Sequence, residues 1–123
     1  MASDRQERGA RAEALAALEL EARGFTILGR NVRLGHLELD LVARRGALVV
    51  IVEVRARGRS AYERPLASLA SKRRMRLLHA ADRLWRARLV HMPGVERLRI
   101  DAAAVDLRAE PPTVTIVEGA VMG

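Results

Sequence analysis

The chain has 123 residues, half of them hydrophobic, 30% charged and none of them cysteine. That length fits one domain with its own core, and the lack of cysteine excludes a disulfide framework, a thiol nucleophile and a cysteine-ligated zinc site. The formal net charge is +7, the longest fully apolar run, Ala47–Val52, is too short to span a membrane, and the polar segment Met1–Arg11 leads into no apolar stretch, so a cytoplasmic protein is expected.

Asp4 to about Arg23 reads as a helix, because Leu15, Leu18 and Ala22 recur at helical spacing and Gly24 follows as a stop. Phe25–Arg33 is expected as a first strand with Phe25, Ile27 and Gly29 on one face, and Gly35 marks the next turn. Strict alternation from Leu37 to Leu41 predicts a second strand, its leucines on one face and Glu38 and Asp40 on the other. A loop over Arg44–Ala47 then leads into a third strand, Leu48–Arg57, rich in Val and Ile. Gly58–Pro65 is polar and irregular, and Leu66 to about Arg88 has the pattern of a second helix. On that helix Ala70, Leu77, Ala81 and Leu84 form an apolar stripe flanked by Leu78 and Trp85, opposite Lys72, Arg76, His79, Arg83 and Arg86. After Pro93-Gly94 come two strands, Arg97–Leu107 and Thr113–Glu118, and 119–123 reads as a loose tail. The chain is thus expected to be one α/β domain over 1–123, in the order helix, three strands, helix, two strands.

The positive charge is localised. Residues 1–43 carry six Arg against seven Asp and Glu, residues 44–76 carry ten Lys and Arg against two Glu, and residues 77–123 carry six of each sign. The whole excess lies in one stretch that begins just after Asp40 and surrounds Glu53. Such a field suits a polyanion, DNA or RNA, although a solvated face that keeps the protein soluble accounts for the same charge.

The hairpin of the second and third strands decides whether the carboxylates meet. If Ala43 opposes Leu48, Glu38 faces Glu53, and Asp40 becomes its diagonal neighbour on the same face, about 7 Å or less away at Cβ. Any even-length turn preserves this parity, whereas an odd-length turn without a bulge destroys it. Glu53 and Arg55 would not stabilise a strand otherwise built from Val and Ile, so another reason for them is needed. Two carboxylates with backbone carbonyl and water form an oxygen cage suited to Mg²⁺ or Mn²⁺, which can activate water at a phosphodiester. The competing account is a set of ion pairs on an exposed sheet face.

Several spaced pieces carry a family resemblance: Glu13, Leu28-Gly29-Arg30-Asn31-Val32-Arg33, Leu37-Glu38-Leu39-Asp40-Leu41-Val42-Ala43, Val52-Glu53-Val54-Arg55-Ala56-Arg57, Lys72 and Leu98-Arg99-Ile100-Asp101. Over roughly residues 9–106 the chain resembles the YraN-like family of presumed endonucleases. The resemblance implies a restriction-endonuclease-like αβββαβ core, a mixed central sheet flanked by helices, of the PD-(D/E)XK nuclease type. It also implies that Asp40 and Glu53 take the motif's acidic positions, and that Glu13 matches a helix carboxylate that Holliday-junction resolvase relatives place near the metal. The chain departs from the family pattern at Leu37 and Ala12, where the family has glycine, and at Arg55, which stands at the motif lysine. Arginine stays charged and cannot act as a base, although its planar fork can orient a phosphate.

Other chemistries find little support. His36, His79 and His91 fall in separate segments without ligand spacing, and His36 reads first as an exposed turn residue. Ser60, Ser68 and Ser71 lack a histidine and acid arrangement, and no Walker-type loop is present. Phe25, Tyr62 and Trp85 are too few for base stacking, so binding is expected at backbone phosphates, with DNA ahead of RNA. Tyr62 either touches substrate or caps the core. The leading expectation is a Mg²⁺- or Mn²⁺-dependent nuclease for structured or double-stranded DNA. In it Asp40 and Glu53 hold the metal, Glu13 assists, Arg55 contacts the scissile phosphate, and Arg57, Lys72 and Arg76 hold the flanking backbone. A non-catalytic nucleic-acid-binding module and a homodimeric interaction adaptor are the alternatives.

Overall fold

The computed structural model describes residues 4–57 and 71–121. Helix α1 (Asp4–Ala22) precedes strands β1 (Thr26–Leu34), β2 (Leu37–Arg45) and β3 (Leu48–Arg57), helix α2 (Ser71–Ala87), a 3-10 turn at Leu89–His91, and strands β4 (Arg97–Asp106) and β5 (Thr113–Val117). The predicted loop with Ser60 and Tyr62, together with Ser68 and Ala70, lies outside the described residues.

The five strands form one sheet in chain order, antiparallel except for the β3–β4 pair, which is parallel. Parallel neighbours cannot be joined by a tight turn, and α2 lies on the connection between them. Successive β3 residues face opposite ways, so Val49 and Ile51 pack with Leu77, Ala80 and Leu84 of α2, while Leu48, Val50 and Val52 pack with Ala12, Ala16 and Leu20 of α1. The result is the expected α/β architecture, an αβββαβ core with a mixed sheet between helices. Among the described residues no helix is long and apolar enough to cross a membrane.

Helix α1 ends where expected. Gly24 takes φ 91, the Phe25 N–H donates to the Leu20 carbonyl at 3.0 Å, and the Gly24 N–H donates to that of Glu21 at 3.0 Å, a Schellman closure. Its buried face differs from the one expected. Ala12, Ala16, Ala17 and Leu20 face the sheet, whereas Leu18 is 62% exposed and Ala22 is exposed. Alanines at the contact let the helix backbone approach the strands closely, leaving the bulkier Leu18 outside.

The sheet corrects three expectations. The β2–β3 connection is a two-residue turn at Gly46-Ala47, so Ala43 faces Val50 and not Leu48. Gly46 takes φ 61, and the neighbouring arginines are anchored: Arg44 donates to the Gly46 and Pro93 carbonyls, each at 2.8 Å, and Arg45 donates to the Arg23 carbonyl and lies over the Phe25 ring. These long-range anchors draw both residues into the ladder, and the change by an even number of positions preserves parity. In β1 the extra residue Leu28 breaks the register, so Gly29 pairs with Val42 and leaves the face of Phe25 and Ile27. In β2 the leucines do not share a face: Leu37 and Leu39 pack towards α2, and Leu41 packs towards α1. The alternation steps at Asp40, which lies across from Asn31, a residue with φ 49.

The tail is also held. The Gly119 N–H donates to Asp101 Oδ1 at 2.9 Å, and Val121 is buried in the α2-side core. Asp101 additionally receives two N–H groups of Arg99 at 2.8 and 3.0 Å, which satisfies a carboxylate that is almost wholly buried. Residues 122–123 lie outside the described residues.

Urea denaturation should separate the two helix-face readings. Leu20→Ala, at an almost fully buried α1 position, should cost about 2–5 kcal/mol, whereas Leu18→Ala should change stability by no more than about 0.5 kcal/mol.

Candidate functional site

The β2–β3 ladder ends at the Leu41–Val52 pair, while β3 continues beside β4 as far as Arg57 opposite Asp106. Beyond Val52 the strands part, and Asp40 stands at the fork. Its Oδ2 accepts the Val54 N–H at 2.8 Å, a donor that a continuing β2 ladder would have engaged. Glu53, two residues beyond Ile51, points to the α2 side and is only 4% exposed. Its carboxylate forms an ion pair with Arg73 in the first turn of α2.

One guanidinium thus acts on both acids. The Arg73 charge also works to lower the Asp40 pKa, but burial raises it more, so the Asp40 carboxyl lies above the ordinary aspartate range. Glu13 of α1 is half-buried, and its side chain is hydrogen-bonded to that of Asn31. Its pKa is raised first by burial and then by the charge of Asp40, so the two carboxylates sense one another. Glu38 is exposed, lies 3.9 Å from Arg33 and adds negative charge to Glu13 and Asp40.

Beside Glu53 opens a cleft of about 250 Å³, walled by His36, Glu38, Arg73 and Arg76 and floored by Leu77 and Ala80. His36 is the exposed turn residue expected, and it is also part of this wall. Arg76 borders the cleft, while Lys72 is exposed on the same helix. Arg55 is half-buried on β3 opposite Ala104, at the position that alternation gives the same side as Glu53. Arg57 is half-buried at the strand end, where Asp106 is held below the ordinary range chiefly by hydrogen bonds from Arg108, with a smaller contribution from the Arg57 charge.

Sequence reasoning passed over Arg73, counting it only within the basic stretch. The available signal was its spacing: it precedes Leu77 by four residues, so it prolongs the buried stripe of α2 by one turn with a cation in place of an apolar side chain. Among the described residues no three His, Asp or Glu side chains converge as a metal-ligand group. The pair the fork offers, Asp40 and Glu53, is made of carboxylate oxygens, a donor set that fits a hard divalent cation completed by water or backbone carbonyl.

Because Asp40 has a raised pKa, the folded state holds its proton more tightly than the unfolded chain does. The ionised form therefore costs stability near neutral pH, a cost absent below the ordinary aspartate range and growing as pH rises through the raised pKa. In metal-free buffer Asp40→Asn, which keeps an acceptor for the Val54 N–H, should stabilise the protein by about 0.5–2 kcal/mol at about pH 8. Thermal denaturation repeated at about pH 3 should show that gain gone.

Comparison with known proteins places these residues in a family. The UPF0102 protein of Sorangium cellulosum is 45% identical over 120 residues, covering 97% of this chain and 83% of the relative. Those of Dehalococcoides mccartyi and of Anaeromyxobacter sp. are 34% and 37% identical, covering 98% and 99% of this chain and 98% and 90% of their own. The model of "Uncharacterised protein family UPF0102" matches residues 12–105, a span that holds Glu13, Asp40, Glu53 and Arg73. The chain belongs to the uncharacterised protein family UPF0102.

Proposed function

We propose that the fork between β2 and β3 is a metal-dependent phosphodiester-cleaving site for structured or double-stranded DNA. The observation that carries this reading is the sharing of one cationic group by Asp40 and Glu53 beside a cleft bordered by a basic helix. Acidic side chains buried at a strand fork cost stability, and their retention is accounted for by a ligand that needs them. Asp40 and Glu53 would hold Mg²⁺ or Mn²⁺, which supplies water activation and neutralises charge on the phosphate. Glu13 faces Asp40 from α1 and, with its raised pKa, is suited to hold a proton beside the reacting centre. Arg55 contributes its fork to the scissile phosphate, and Arg57, Lys72 and Arg76 hold the flanking backbone. The excess of positive charge in residues 44–76 supports a polyanionic substrate.

A second reading is favoured by Arg55 itself. A permanent cation where the resembled family carries lysine cannot take a proton from water, so the same surface would serve as a nucleic-acid-binding module without turnover. Purified protein should nick or cut a branched or duplex DNA with Mn²⁺ and not with EDTA, and Asp40→Ala should reduce the rate at least about a hundredfold. Cleavage that survives either change would refute the assignment. If the wild type only binds, with steep salt dependence, and Arg55→Lys gains cleavage, the binding module is the correct reading. Absence of DNA or RNA binding at low salt would leave an interaction adaptor, tested by its oligomeric state. Within the nucleic-acid reading, Arg76→Ala should lower the slope of log affinity against log salt by about one.

A further inference from the structure

The Arg73–Glu53 pair is asymmetric. The Glu53 side chain is 6% exposed and fixed on the central strand, whereas the Arg73 side chain is 48% exposed and reaches in from the surface of α2. A buried carboxylate without a counter-charge is strongly disfavoured, so whatever displaces Arg73 must bring a cation of its own. A divalent cation held by Asp40 and Glu53 does so, and its charge repels the guanidinium from the place it had filled. Arg73 would then stand free at the border of the cleft beside Arg76, with Lys72 and Arg74 exposed on either side, where a planar fork of donors suits a phosphate.

Resting on the metal reading above, we infer that Arg73 is a resident counter-ion of the Asp40–Glu53 pair that exchanges with a divalent cation and, once displaced, becomes a phosphate-binding residue of the nucleic-acid interface. The arrangement makes metal and DNA binding mutually reinforcing. Metal releases a phosphate ligand, and a bound phosphate holds the arginine away from the metal position. Arg76 provides the control, because it borders the same cleft on the same helix, while the ion pair with Glu53 is made by Arg73.

Calorimetry of Mn²⁺ binding to the full chain tests this. Arg73→Gln should bind Mn²⁺ about tenfold more tightly than wild type, and Arg76→Gln by less than about threefold, because only the first removes a competing charge from the ligands. Mn²⁺ should also raise the thermal midpoint of Arg73→Gln more than that of wild type. Should the glutamine variant fail to fold, Arg73→Met, equally uncharged, must still bind Mn²⁺ more tightly than Arg76→Met does. For the phosphate half, anisotropy on a duplex is recorded before any product forms. The salt slope of the wild type should be about one steeper in Mn²⁺ than in EDTA, and that increment should vanish in Arg73→Gln. Mn²⁺ binding by the wild type with no gain in the Arg73 variants would overturn the exchange and leave the metal site standing. No Mn²⁺ binding by any variant would overturn both.

Discussion

The hydrogen bond from the Val54 N–H to Asp40 Oδ2 marks the place where two strands that have run together for five residue pairs separate. A backbone donor at the edge of a half-buried sheet needs an acceptor, and the strand that would have supplied a carbonyl has turned away. A carboxylate takes its place. Asp40 therefore caps the end of the ladder and shares the Arg73 charge with Glu53, so the local fold and the candidate chemistry depend on the same side chain.

The energetics around the fork run against stability. Burial raises the pKa of Asp40 and Glu13, and Glu53 is nearly sealed from water. Asp40 and Glu53 share the charge of Arg73, whereas Glu13, on the α1 side, senses Asp40 and is offset by Asn31 and Arg30. Elsewhere among the described residues the arrangement is conventional: α1 and α2 each pack a large apolar cluster against one face of the sheet, and the buried Asp101 is fully engaged by Arg99 and the Gly119 N–H. The contrast between a satisfied structural aspartate and the partly burdened Asp40 supports the proposal that the fork is the functional end of the sheet.

Much of this was legible from residue order. The αβββαβ sequence of elements, the apolar stripe of α2 and the stop at Gly24 follow from local periodicity and from the conformational demands of a helix end. So does the parity of the β2–β3 turn, which survives an even change in length as far as the Leu41–Val52 pair, whereas the step at Asp40 beyond it does not follow from alternation. The Arg44 and Arg45 anchors were not legible, because one reaches a carbonyl 49 residues away. Nor was the face of α1, where the choice between an alanine and a leucine surface depends on how closely the strands let the helix approach.

The sequence by itself determined the type and order of the elements, the parity of the hairpin and the concentration of charge around Glu53, since each depends on neighbours a few positions away or on composition alone. The tertiary structure decided the pairing of Ala43 with Val50, the step at Asp40, the docking of Val121 and the partnership of Arg73 with Glu53. These are contacts between segments far apart in the chain. Their geometry is set by how helix, sheet and turns fill one common volume, and no local period encodes it.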